Sequence, residues 1–119
     1  MSVPALVEKV HFDKNKPENQ NIYMSNMRND FVLVYDGNDW KLVNKDEVLD
    51  ELYDDKVCIL ENKFQELIDK LPERIIDKFK KFLDKADNDS TKENIKTDLK
   101  LLLYNNRKMV ESTRKLLAL

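Results

Sequence analysis

The stretch KDEVLDELYDDKVCILENKFQELIDKL, residues 45–71, decides the fold. Within it Tyr53, Val57, Leu60, Phe64, Leu67 and Leu71 recur at alternating spacings of four and three. On an α-helix that spacing lines all six side chains along one stripe. Such a stripe must bury itself, in this chain or against a second copy of it. It spans about two and a half heptads, short of the three to four that specify a coiled coil. Val48, Leu49, Leu52, Ile59 and Ile68 widen the apolar face, which suits the central helix of a packed domain. Both destinations stay open: the core of its own domain, or a contact between copies. Asn44 and Glu47 have capping-box spacing, with Asp46 and Glu47 in the first turn. The helix is read from there to about Lys70, where Pro72 follows.

Working back from that helix, the period changes to two. Asn21–Ser25, Phe31–Tyr35 and Trp40–Val43 read as three short strands. Asp36-Gly37-Asn38-Asp39 places the only glycine of the chain where a tight hairpin wants positive φ. Asn29-Asp30 reads as the other turn, completing a three-stranded antiparallel meander. Phe31, Leu33 and Tyr35 share one face, and Val32 and Val34 share the other. Both faces are apolar, so helices cover one and a partner or the N-terminal segment covers the other. Upstream, residues 3–10 read as a short helix capped by Ser2 with Pro4 in its first turn. Asp13–Gln20 is a polar loop. Downstream of Pro72, Ile75, Ile76, Phe79, Phe82 and Leu83 mark a second amphipathic helix, and Asp84–Ser90 a polar linker. Ser90 with Glu93 reads as a capping box for a third helix carrying Ile95, Leu99, Leu102 and Leu103. Arg107–Leu119 forms a short fourth helix. The expected fold is α+β, one domain over residues 1–119, with a terminal helix and loop (1–20), a meander (21–44) and a helical part (45–119).

A chain of 119 residues, 41% of them apolar, can close one core. The charged fraction is 37%, but 21 basic residues nearly balance 23 acidic ones, and the net charge is −2. That balance argues against a nucleic-acid binder over its whole surface while leaving a local basic face open. One glycine cannot build a phosphate-cradling loop, which removes P-loop and dinucleotide-binding readings. One cysteine allows no internal disulfide and points to a reducing compartment. No apolar run is long enough to span a bilayer, and no membrane partner is expected.

His11 is the only histidine, and Cys58 the only other soft ligand, so no metal site and no cofactor are expected. Cys58, flanked by Val57 and Ile59, reads as buried packing rather than as a nucleophile. His11 is expected to order the loop that follows the first helix. The loop itself, His11 to Asn26, is dense in short polar side chains that fix backbone. His11, Asn19, Asn21, Tyr23 and Asn26 could also present polar groups to a ligand or a base. In the tail, Arg107, Lys108, Arg114 and Lys115 are the candidates for phosphate contact. An enzyme would need a second catalytic group beside His11 that the sequence does not single out. No catalytic residue is assigned.

Three sets of residues carry a family resemblance. They are Val7-Glu8-Lys9-Val10-His11-Phe12 with Pro17-Glu18-Asn19 and Asn21-Ile22-Tyr23, then Val34-Tyr35-Asp36-Gly37-Asn38 with Trp40, and the late Leu99–Arg107 segment. Together with Ser25-Asn26, Leu52-Tyr53 and Leu60-Glu61-x-Lys63-Phe64, the chain resembles a domain found in proteins of giant DNA viruses of the mimivirus type. The resemblance covers nearly the whole chain from about residue 5. It implies the C-terminal part of a protein whose N-terminal part carries a Cys/His zinc-finger-like segment, with no defined biochemical role. The finger cysteines are absent here, so metal binding does not carry over. The family often has histidine where this chain has Gln20, which weakens a metal or catalytic reading of that loop. The resemblance implies a viral setting in the host cytoplasm, at a viral factory, or in the virion. The chain is then either a free-standing version of the domain or the holding half of a longer protein. The expected function is a non-enzymatic interaction module, a homo-oligomer with a dimer favoured or a binder of a viral protein partner. Its interface candidates are Tyr53, Val57, Leu60, Phe64, Leu67 and Leu71. The alternative is an accessory nucleic-acid-binding domain that uses the tail and the Asn-rich loop.

Overall fold

A computed structural model describes residues 2–117, with side chains through Arg114. Helix α1, Val3–His11, is capped by Ser2, whose Oγ accepts from the Ala5 amide at 3.2 Å. A single turn at Pro17–Asn19 interrupts the loop that follows. Strands β1 (Ile22–Tyr23), β2 (Phe31–Tyr35) and β3 (Trp40–Asn44) form one antiparallel sheet in sequence order. Helix α2, Lys45–Leu67, starts directly from β3, and Asn44 Oδ1 accepts from the Glu47 amide at 3.1 Å. A short turn, Ile68–Lys70, leads past Pro72 into α3, Glu73–Ala86. Helices α4 (Asp89–Asn105) and α5 (Arg107–Leu117) complete the described residues, and the last two positions of the expected fourth helix, 118 and 119, lie outside them. The α+β reading and the three-stranded meander are borne out.

Three boundaries differ from expectation. The first strand stops at Tyr23, because the chain then turns through Asn26, whose Oδ1 accepts from the Arg28 amide at 2.6 Å. The connection to β2 is therefore a loop over residues 24–30, tied down by the Lys45 ammonium donating to the Met27 carbonyl at 3.0 Å. The polar linker shrinks, since α3 continues through Ala86. The cap of α4 is Asn88 rather than Ser90: its Oδ1 accepts from the amides of Ser90 and Thr91 at 2.9 and 3.2 Å. The β2–β3 turn is as expected, with Gly37 at φ +101°. Asp36 Oδ1 accepts from the amides of Asn38 and Asp39, both at 2.9 Å, and Lys41 reaches its other oxygen at 2.8 Å. Those bonds, the Asp39 amide first, hold the Asp36 carboxyl well below the usual carboxylate range.

The register opposes Val32 to Val43 and Val34 to Ile22, so these side chains share the inner face. That face lies on α2, with Val32 2% exposed. The outer face carries Tyr23, Leu33, Tyr35 and Trp40, and at its margin Phe31 and Leu42 are 50% and 67% exposed. Helices α1, α2 and α4 pack on one another, and α5 lies against β1. Val3 and Val7 of α1, Met24, Leu99 and Leu103 of α4, and Val110 of α5 are the most fully buried side chains. The domain interior thus sits where α1, α2 and α4 pack together beside the inner face of the sheet. Helix α5 lies against the outer face, with Arg114 over Tyr23 and Trp40, in place of the expected partner or N-terminal segment.

Candidate functional site

The helical stripe is largely consumed by the fold. Tyr53 and Leu60 join the central cluster, and the Tyr53 hydroxyl donates to the Ala86 carbonyl at 2.7 Å, joining α2 to the end of α3. Phe64 is buried by stacking on Phe79, with ring centroids 4.5 Å apart. Val57, Leu67 and Leu71 are only partly buried. Two expectations on this helix are corrected. Ile59 is 42% exposed, and Cys58 is a free, exposed thiol whose sulfur lies 3.8 Å from Asn62 Nδ2. The buried side of α2 runs through Leu49, Leu52, Tyr53, Lys56, Leu60 and Phe64, and positions 58 and 59 rotate away from it.

Lys56 is the residue that sequence reading missed. It is 4% exposed, and its position four after Leu52 and four before Leu60 is the signal that could have exposed it. Its ammonium donates to Asp55 Oδ2 at 2.8 Å and lies 3.2 Å from His11 Nε2. On the other side of the ring, His11 Nδ1 sits 2.9 Å from the Asn19 carbonyl and 3.2 Å from Asn21 Oδ1. Both Nδ1 neighbours are acceptors and an ammonium can only donate, so the hydrogen belongs on Nδ1 and the lone pair on Nε2. Burial, and then the Lys56 charge, hold the ring below its ordinary value of 6.5. The histidine therefore orders its loop as expected. Because its lone pair already accepts from an ammonium, it is a poor general base.

This cluster forms part of the lining of a groove of about 580 Å³ between the sheet and α2. Ile22, Val34, Val43, Val48 and Leu52 give it an apolar wall, and Glu51, Asp54 and Asp55 stand with His11, Asn21 and Lys56 around it. Of the candidate loop residues, His11, Asn19 and Asn21 meet here. Tyr23 and Asn26 lie elsewhere. The Tyr23 hydroxyl donates to Glu111 Oε1 at 2.7 Å, and that bond leads the effects that raise its pKa. Asn26, with Ser25, Met27, Arg28 and Tyr104, surrounds a separate hollow. Gln20 is buried and bonds to the Thr113 hydroxyl of α5, pinning the loop to that helix.

Two of the tail cations are engaged within the chain. The Arg107 guanidinium stacks over Tyr104 at 4.0 Å and donates to the Tyr104 carbonyl at 3.0 Å. Arg114 lies over both Tyr23 and Trp40, at 4.6 and 5.3 Å. Lys108 is exposed, and the side chain of Lys115 lies outside the described residues. A second buried lysine locks the helices: Lys96 of α4, 4% exposed, reaches Asp50, Asp46 and Glu93 at 2.9, 3.2 and 3.2 Å. Burial opposes its charge, but the three carboxylates outweigh that and hold the ammonium above the ordinary lysine range.

Among the described residues no cluster of His, Cys, Asp and Glu could hold a metal ion, and no helix is long and apolar enough to cross a membrane. Comparison with protein-family models, with curated proteins and with solved structures finds no match to this chain.

Proposed function

We propose that this domain is a non-enzymatic interaction module that pairs with a second copy of itself through the hairpin of α2 and α3. One observation carries the reading. The apolar face of α3 (Ile75, Ile76, Phe79, Phe82 and Leu83) is only partly buried throughout, and Ala86 alone on that helix is fully covered. At the facing end of α2 and in the turn that follows it, Leu67, Ile68 and Leu71 are partly buried as well. A second hairpin laid across this surface would complete a four-helix arrangement and remove those side chains from water. Charges of both signs are exposed on each arm, Glu61, Lys63, Glu66, Asp69 and Lys70 on one and Glu73, Arg74, Asp77, Lys78, Lys80, Lys81, Asp84 and Lys85 on the other. Neither arm therefore presents a like-charged face that would oppose a two-fold pairing.

The interface thereby shifts along the helix from the stripe as read in sequence. Tyr53, Leu60 and Phe64 serve the monomer, while Leu67 and Leu71 stay available. The resemblance to a giant-virus domain defines no role by itself and suggests only the setting, the host cytoplasm or the virion. The accessory nucleic-acid reading draws less support, since Arg107 and Arg114 are already stacked on aromatic rings of the same chain. Light scattering tests the proposal. A mass of two chains at micromolar concentration is expected, and one chain for the Ile76→Glu variant with its helical circular dichroism intact. A wild-type mass of one chain that does not change on concentration refutes it.

A further inference from the structure

We infer that the groove between the sheet and α2 takes a short extended peptide segment whose side chains are apolar and basic. The groove crosses the inner face from β1, at Ile22, through β2, at Val34, to β3, at Val43. Three strands spaced about 4.8 Å apart give it a span of about 10 Å, the reach of about three extended residues. Its volume of about 580 Å³ lies within the ordinary range for ligand sites.

The chemistry of the walls chooses the occupant. Two of the strand residues that line the groove, Val34 and Val43, are only partly buried and offer a dry surface to aliphatic side chains. Within the lining Lys56 spends two of its three ammonium hydrogens on His11 and Asp55. The Asn21 amide uses its oxygen towards His11 and has no partner for its NH₂ group among the described residues. Both are donors suited to a backbone carbonyl. The rim is acidic. Asp55 is matched by Lys56, and Asp54 shares Lys92 at 3.3 Å. Glu51, exposed, makes no ion pair among the described residues. An anionic ligand would meet the unpaired Glu51 carboxylate and, beside it, Asp54, whose Lys92 is shared with Asp50, whereas a lysine or arginine side chain would pair with Glu51. The groove uses the first half of α2 and shares no residue with the Leu67–Leu83 surface proposed for pairing, so the inference does not depend on self-association.

The test uses the full chain and two fluorescein-labelled peptides, one alternating valine with lysine and one alternating valine with glutamate. Fluorescence anisotropy should show the lysine peptide binding about tenfold or more tightly than the glutamate peptide, and weakening as salt is added. Amide shifts in a nitrogen–proton correlation spectrum should cluster at Ile22, Val34 and Val43. Glu51→Lys, at an exposed position that should leave the fold intact, should weaken binding of the lysine peptide about tenfold. The Ile76→Glu variant should bind as the wild type does, which separates this site from the dimer contact. The inference is overturned by equal binding of the two peptides, by no binding of either, by shifts confined to the acidic face of α2 and α4, or by a Glu51→Lys variant that binds unchanged.

Discussion

Acidification from pH 7 to pH 5 should destabilise this domain through one residue, His11. In the folded chain the ring is neutral, holding Nδ1–H against Asn19 and Asn21 and its Nε2 lone pair against the Lys56 ammonium. Protonation would remove the acceptor and set two cations 3.2 Å apart, a gross repulsion of about 5 kcal/mol at an effective dielectric of about 20, which the carboxylate of Asp55 partly offsets. The folded pKa therefore lies below the unfolded value of 6.5. The unfolded chain takes up its proton first, so stability is complete above about pH 6.5, falls as pH drops below it, and levels off once the folded ring is also charged. If the folded ring stays neutral throughout, linkage gives a loss of about 1 kcal/mol between pH 6.5 and 5.5, and that is the upper limit. The chain has one histidine, and carboxylates titrate mostly below this window, so the effect is isolated. Urea unfolding at pH 7.5, 6.5 and 5.5, at fixed protein concentration, measures it. His11→Asn should be less stable at pH 7.5 and should lose the slope. A variant that keeps the wild-type slope would show that the ring is not the titrating group and that its pairing with Lys56 is wrong.

Two further outcomes follow from the other constraints on the chain. Lys96→Ala should cost about 1–3 kcal/mol in urea unfolding at neutral pH, because Asp46, Asp50 and Glu93 would be left to repel one another between α2 and α4. The Asp50 carboxyl, lowered from 3.8 chiefly by its bond to Lys96, contributes stability that is present above that value and lost as pH falls through it. That acid loss should be smaller in the variant. Gly37→Ala should destabilise by about 1 kcal/mol, since an added Cβ meets nothing within 4 Å and the strain of φ +101° is the only cost. A neutral result in thermal unfolding would mean that the turn relaxes to negative φ.

Local rules made most of the architecture legible. Ser2 and Asn44 announce helix starts because their short side chains accept from amides within the next turn, whatever the rest of the chain does. Gly37 marks the hairpin because only glycine enters that backbone region freely. Alternation at Phe31–Tyr35 assigned the two sheet faces correctly, although it could not say which would turn inward. Where two local signals compete, the sequence gives no ranking. Asn88 and Ser90 are both sound caps, and Asn88 takes the role as α3 continues through Ala86.

What the sequence settles by itself is what lies within a few residues: caps, turns, the helical and extended periods, and the absence of any glycine-rich phosphate loop. Only the tertiary structure decides what those periods face. A period of 3.6 fixes which side chains of α2 share a side, but the choice of covering surface belongs to α1, the sheet, α3 and α4, which lie elsewhere in the chain. For that reason Tyr53 and Leu60 could be read as an interface and prove to be core, while Lys56, a charge in an apolar phase, has no meaning until His11 is brought 45 residues back to meet it. Packing and desolvation act between elements distant along the chain, and no spacing rule contains them.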